Sequence, residues 1–138
     1  MKLKKIIGLF SIVLPLSSQT AFSASDTITY QNTRGSVLTL KFGPNPVLTG
    51  QFTTAVASKE CQQAIGTHRP IVGYIVDNAL AFSVSYPMCG SVITLIGNIE
   101  KNKALIDMTG IVAHQSTNIA KEGPGARMIS HDVFTRVG

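Results

Sequence analysis

The chain has 138 residues, a formal net charge of +5, 14% charged residues and 44% hydrophobic residues. This length fits one domain, and the hydrophobic content is sufficient for a packed core, which excludes a wholly disordered chain. The low charged fraction argues against a highly charged nucleic-acid-binding protein.

The N-terminal segment has the features of a secretory signal peptide. Lys2, Lys4 and Lys5 precede an apolar run over 6–16, and small residues follow within 21–24. A basic head, a short apolar core and a small-residue exit are typical of such signals. The alternative is a retained membrane anchor, but the apolar run is short for a stable helix that spans a bilayer.

Cleavage after Ser23 or after Ala24 fits this pattern. We therefore expect a signal peptide over 1–23 and a mature domain over 24–138, located in the periplasm or outside the cell. Loss of the first 23 residues removes three lysines and no acid, so the net charge falls to +2. The remaining positive charge is too small to support a nucleic-acid-binding surface, and no membrane attachment is expected.

The mature part is predicted to form short strands, because apolar and β-branched residues alternate with polar ones between turn-forming clusters. The predicted strands are 29–32, 36–42, 47–55, 70–76, 79–86, 91–99, 104–113 and 126–137. Helical periodicity is absent. The short connections favour an eight-stranded antiparallel up-and-down β-barrel, an all-β fold, and an immunoglobulin-like sandwich is the alternative.

An up-and-down barrel places the connections 1–2, 3–4, 5–6 and 7–8 at the same end. These connections include the long polar segments 57–68 and 114–125, whereas the other end has tight turns. We therefore expect an open mouth and a closed base, with space for side chains or one small ligand inside.

Cys61 and Cys89 lie in two of the mouth loops. In an exported chain an even cysteine count favours a disulfide over two free thiols. Closing this loop would contribute about 3 kcal/mol in the chain-entropy picture. The two cysteines and three scattered histidines lack ligand spacing, so no metal site is expected.

Several polar residues fall on strand faces that are otherwise apolar, or at a strand end beside them: Asn32, Ser36, Thr54, Ser91 and Asp132. A buried polar group costs free energy unless it is paired. Such a cluster in a barrel mouth would suit a small polar heterocycle. The alternative interpretation is that each group satisfies a neighbouring loop.

Catalysis finds little support in the sequence. His131 and Asp132 are adjacent in one strand, so their side chains point to opposite faces and cannot form a dyad. No nucleophile elbow, metal motif or phosphate-binding loop is present. We predict that the protein is not an enzyme and needs no cofactor.

The sequence resembles the avidin–streptavidin family of biotin-binding proteins. The resemblance extends from about Tyr30 to Val137. Its strongest segments are Asn-Thr-Arg-Gly-Ser at 32–36, Leu-Thr-Gly-Gln-Phe-Thr-Thr-Ala-Val at 48–56 and His-Asp-Val-Phe-Thr-Arg-Val at 131–137. The order and spacing of these segments together make the resemblance specific, and it implies that biotin binds in the barrel mouth.

The resemblance also implies roles for the polar residues. Asn32 and Ser36 would contact the ureido oxygen of biotin. Thr54 and Asp132 would each accept one ureido N–H group. Ser91 would help to hold the valerate carboxylate.

The backbone near Ala57 and Ser58 would assist with that carboxylate. Six further positions would correspond to the rest of the family's pocket: Phe52, Phe82, Tyr86, Ile93, Leu95 and Gly110.

The chain departs from the family pattern mainly in this second group. Phe52 replaces a tyrosine that contacts the ureido oxygen, and Ile93 replaces a threonine that meets the thioether sulfur. The chain has no tryptophan, so Leu95 and either Gly110 or Ile111 stand where the family has indole rings. The lost contacts sum to about 5–9 kcal/mol, or roughly four to six decades in affinity. We expect reduced but detectable biotin binding, with a related small molecule as another ligand.

Two features resemble the dimeric, disulfide-containing branch of the family. Cys89 precedes Ser91 by two residues, and the stretch 122–125 lacks the tryptophan by which tetrameric members cap a neighbour's site. A homodimer is therefore predicted. The competing hypotheses are a secreted structural or adhesion β-domain and a barrel-shaped inhibitor, neither of which would bind biotin.

Overall fold

The computed structural model describes residues 25–122 and 127–138. The predicted signal peptide over 1–23 and its cleavage sites lie outside the described residues. So do residues 123–125 of the stretch that lacks the capping tryptophan of tetrameric family members. The strands are β1 Asp26–Asn32, β2 Val37–Phe42, β3 Val47–Thr53, β4 His68–Val76, β5 Ala79–Tyr86, β6 Ser91–Ile99, β7 Leu105–His114 and β8 Arg127–Arg136. All eight predicted strands are present.

The strands form one closed barrel in the order β1 to β8, and every neighbouring pair is antiparallel. Closure is made by β1 against β8, where Tyr30 pairs with Arg136 and Asn32 with Phe134. This confirms the predicted up-and-down barrel and excludes the sandwich alternative, which would leave two separate sheets.

Alternation along each strand directs every second side chain into the barrel. On β7, for example, Ile106, Met108 and Gly110 are buried while the residues between them are exposed. The buried apolar side chains form a single core inside the barrel. Tyr30 is fully buried near the base, where its hydroxyl donates to the Lys103 carbonyl oxygen at 3.0 Å.

Several predicted strand boundaries and two predicted loops needed correction. β1 begins at Asp26 rather than at residue 29, because Asp26 pairs with Phe42 at the far end of β2. The predicted loop over 57–68 contains a 3-10 helix at Lys59–Ala64, and the loop over 114–125 contains the helix α1 at Ile119–Glu122. Segments of one or two turns are too short to show a helical period in the sequence.

The Cys61–Cys89 disulfide is present, with the two Cα atoms 5.4 Å apart. It joins the β3–β4 loop to the 3-10 turn Pro87–Cys89 that precedes β6. The predicted pairing is therefore confirmed, and the bond connects two sides of the barrel mouth. Within the described residues, no helix is long and apolar enough to cross a membrane.

Candidate functional site

A cavity of about 400 Å³ opens at the mouth of the barrel. Its walls come mainly from inward-facing residues of β1, β3, β5, β6, β7 and β8 and from the β1–β2 and β3–β4 loops. Of the thirteen residues predicted for the site, twelve line this cavity: Asn32, Ser36, Phe52, Thr54, Ala57, Ser58, Tyr86, Ser91, Ile93, Leu95, Gly110 and Asp132.

Phe82 does not line the cavity. It lies on β5 four residues nearer the base than Tyr86, and its side chain is packed in the core with 1% exposed. The prediction gave the inward aromatic residues of β5 the same role. In the structure the two aromatic residues lie at different depths in the barrel, and of the two only Tyr86 lines the cavity at the mouth.

Asn32 organises the β1–β2 turn and the polar side of the cavity. Its side-chain oxygen accepts the backbone N–H groups of Arg34 and Ser36 at 3.1 and 2.9 Å. Its amide nitrogen donates to Asp132 Oδ1 at 3.0 Å. The amide carries two N–H groups, so a second remains to donate.

Ser36 and Thr54 have opposite hydrogen-bonding capacities. The Ser36 hydroxyl oxygen accepts the Ala55 N–H at 3.0 Å, so its own proton remains to donate. Thr54 donates its proton to the Val56 carbonyl oxygen at 2.6 Å and accepts the Val56 N–H at 3.3 Å, so one oxygen lone pair remains for a ligand. Both residues are buried.

Asp132 contributes a carboxylate to the cavity lining. Its carboxylate is paired with the Arg34 guanidinium, whose Nη2 contacts both carboxylate oxygens. Ser130 Oγ donates to Oδ2 at 3.5 Å. The Asp132 side chain is 11% exposed, whereas that of Arg34 is 47% exposed, so the ion pair lies at the boundary between cavity and solvent.

The opposite side of the cavity is apolar. Leu95 is buried on β6, and its register partner Gly110 on β7 adds no side chain. A Cβ atom at Gly110 would lie 2.7 Å from Ser130 Oγ, so any larger residue at this position would require the Ser130 side chain to move.

Tyr86 closes this side, and its hydroxyl is buried with no hydrogen-bond partner among the described residues. Burial raises the pKa of Tyr86 to about 12, although the positive charge of Arg69 acts in the opposite direction.

Sequence reasoning missed nine residues that line the cavity: Arg34, Val56, Cys61, Ala64, Val112, His114, Met128, Ile129 and Ser130. Ser130 shares the inward face of β8 with Asp132, and the alternation that selected Asp132 could have selected it too. Arg34 lies in a turn, where the sequence has no alternating pattern from which the direction of a side chain could be predicted.

The outer surface confirms the separation of His131 from Asp132. His131 Nε2 contacts Asp107 Oδ1 on β7 at 2.7 Å, outside the barrel, whereas Asp132 faces the cavity. Over residues 25–122 and 127–138, no three His, Cys, Asp or Glu residues are grouped so that they could hold a metal ion.

The sequence profile of the avidin family matches residues 20–137. The chain belongs to the avidin family. Proteins of this family bind biotin as a ligand and need no cofactor to do so. A comparison with curated proteins finds no match.

Solved avidin-like structures share the fold of the chain. The complex of short afifavidin with biotin is 25% identical, with a TM-score of 0.62 over 80% of this chain and 88% of that one. The bradavidin2–biotin complex is 23% identical, with a TM-score of 0.64 over 80% and 96%. The rhizavidin–biotin complex is 21% identical, with a TM-score of 0.61 over 81% and 100%.

Proposed function

We propose that this protein binds biotin reversibly in the barrel mouth and catalyses no reaction. The observation that carries the proposal is the set of hydrogen-bonding capacities around the cavity. Asn32 and Ser36 each retain a proton to donate. Thr54 offers an oxygen atom that accepts, and Asp132 offers another once a ligand N–H group takes the place of one of its present donors.

A ureido group has one carbonyl oxygen and two N–H groups. Two donors and two acceptors in one buried cavity match these groups, and each match removes the cost of leaving a buried polar atom unpaired. The buried hydroxyl of Ser91, on β6, is the candidate partner for the carboxylate of the ligand.

The affinity is proposed to be well below that of family members with a complete aromatic box. Phe52 offers the ureido oxygen no hydroxyl, and its ring packs edge-on against Phe134 with centroids 6.3 Å apart. Leu95 and Gly110 bury less area against a flat ligand than indole rings would. A ligand related to biotin, with the same hydrogen-bonding head, would also fit this argument.

Titration calorimetry of the oxidised mature protein with biotin tests the proposal. We expect saturable binding at one site per chain. Asp132→Ala should weaken it roughly 30-fold, because a hydrogen bond to a charged acceptor contributes about 2 kcal/mol. Asp107→Ala is the matched control, since it removes a carboxylate that faces the outside on the neighbouring strand.

Phe52→Tyr tests the explanation for the reduced affinity. The added hydroxyl should tighten biotin binding by roughly 5-fold to 10-fold, equivalent to about 1 kcal/mol. The proposed function is contradicted if biotin produces neither saturable heat nor a thermal shift with the wild-type protein at millimolar concentration.

We further propose that residues 1–23 direct export and that the mature protein is a periplasmic or secreted homodimer. The Cys61–Cys89 disulfide supports export, because such bonds persist in oxidising compartments. Exposed apolar side chains on the outer faces of three adjacent strands support self-association: Val92, Ile96, Ile111 and Ile129. Mass spectrometry of the exported N-terminus and analytical ultracentrifugation test the two parts.

A further inference from the structure

The Asp132 carboxylate is already occupied by groups of the protein itself. Oδ1 accepts hydrogen bonds from the Asn32 amide and the Arg34 guanidinium. Oδ2 accepts from Arg34 Nη2 at 2.5 Å and from Ser130 Oγ at 3.5 Å. A ligand N–H group that is to reach this carboxylate must displace one of these donors. Arg34 is the most exposed of them.

The chemistry of the displaced group resembles that of the proposed ligand. A guanidinium and a ureido group both place N–H donors on a planar, trigonal carbon atom, and both suit a carboxylate acceptor. We propose that Arg34 is a built-in competitor, whose guanidinium occupies the ureido subsite at Asp132 until the ligand displaces it. The inference rests on the proposed function, because it assigns the ligand head group to this carboxylate.

The side chain can leave without unfolding the turn. The Arg34 backbone N–H is held by Asn32 Oδ1 at 3.1 Å, and the Gly35 N–H by the Asn32 carbonyl oxygen at 3.0 Å. The turn therefore stays fixed while the side chain changes rotamer. Because the Arg34 side chain is 47% exposed, the guanidinium can be rehydrated on leaving.

This exchange lowers the apparent affinity in proportion to the fraction of molecules in which Arg34 has left the carboxylate. If that fraction is about one tenth, removal of the guanidinium tightens biotin binding about 10-fold. Arg34 would thus set both affinity and selectivity, since a ligand without N–H donors for Asp132 gains nothing by displacing it.

Two variants test the competition by titration calorimetry with biotin. Arg34→Ala removes the whole side chain, and Arg34→Met keeps an apolar stem without the guanidinium. Both should bind biotin about 10-fold more tightly than the wild type. Loss of a positive charge by itself would weaken the attraction of an anionic ligand, so tighter binding cannot be a long-range charge effect.

Lys59→Ala is the matched control, because it removes an exposed positive charge from the β3–β4 loop without touching the cavity lining. It should bind biotin with unchanged or slightly weaker affinity. Methylguanidinium at millimolar concentration should compete with biotin in both Arg34 variants and have little effect on the wild type.

A measurement without biotin separates this inference from the proposed function. In amide NMR spectra, methylguanidinium should shift the signals of Ser130 and Asp132 in Arg34→Met, but not in the wild type or in Arg34→Met/Asp132→Asn. Tighter biotin binding with this pattern supports the competition. Wild-type or weaker affinity in both variants overturns it and leaves the proposed function in place.

If neither the wild type nor the variants bind biotin, the proposed function fails. The NMR spectra with methylguanidinium then test by themselves whether Arg34 occupies the subsite at Asp132. Shifts confined to Arg34→Met then support the occupied subsite. Their absence overturns it.

Discussion

The two walls of the cavity are built on different physical principles. The polar wall, formed by Asn32, Ser36, Thr54 and Asp132, is a network in which protein groups satisfy part of each side chain's hydrogen-bonding capacity. The apolar wall, formed by Tyr86, Ile93, Leu95 and Gly110, presents mainly apolar surface to the cavity. Hydrogen-bond complementarity depends on the direction of individual atoms, whereas apolar contact depends on area.

Under the proposed function, this difference separates specificity from affinity. The polar wall determines which arrangement of donors and acceptors a ligand must have, because an unmatched buried polar atom is costly. The apolar wall can exchange one side chain for another of similar volume and change the affinity by degrees. A chain without tryptophan can therefore retain the binding chemistry while binding more weakly.

The largest expected effect comes from separating the two walls. The Cys61–Cys89 disulfide joins the loop that follows β3 to the turn that precedes β6. Replacing both cysteines with serine should lower the free energy of unfolding by about 3 kcal/mol, measured by urea denaturation. Reduction of the wild type should reproduce the loss and leave the variant unchanged. Equal stability of the reduced and oxidised wild-type protein would contradict this prediction.

A second variant tests whether the polar wall is a network. Asn32→Ala leaves the Arg34 and Ser36 N–H groups without their acceptor and removes one donor from Asp132. The free energy of unfolding should fall by about 2 kcal/mol. Gln31→Ala, on the exposed face of the same strand, is the control and should cost less than about 0.5 kcal/mol. Similar losses in both variants would contradict the contribution assigned to the Asn32 hydrogen bonds.

The smallest expected effect distinguishes two buried tyrosines. Tyr86→Phe in the apolar wall removes a hydroxyl that has no partner in the described part of the chain. Its stability should therefore be unchanged or up to about 1 kcal/mol higher. Tyr30→Phe at the base loses the bond to the Lys103 carbonyl oxygen and should be about 1 kcal/mol less stable. Thermal unfolding of the two variants should thus give shifts of different sign or size.

The pH dependence of unfolding follows from the same hydroxyl groups. Burial raises the pKa of Tyr86 from 10.0 to about 12 and also raises that of Tyr30. Above pH 10 the unfolded tyrosine ionises while the folded one stays protonated, so stability falls as the pH rises toward 12. Tyr86→Phe should make this fall less steep, as urea denaturation at a series of pH values would show. An unchanged slope would contradict the assigned burial effect.

The fold was predictable because its signal is local. A period of two along each segment fixes which side chains face inward, and short polar connections fix antiparallel neighbours. The same alternation selected Thr54 and Asp132 as inward polar residues, and both line the cavity. Alternation does not separate Phe82 from Tyr86, because both face inward and it does not report how far the cavity extends along β5.

The sequence by itself determined the strands, their faces, the cysteine pair and the residue types available to the mouth. Only the tertiary structure decided which groups meet there. Asn32 and Asp132 are 100 residues apart, and Arg34 and Asp132 are 98 apart. They come together because closure of β1 on β8 places the first and last strands side by side. Alternation along a strand carries no information about such contacts, since it specifies a direction and not a partner.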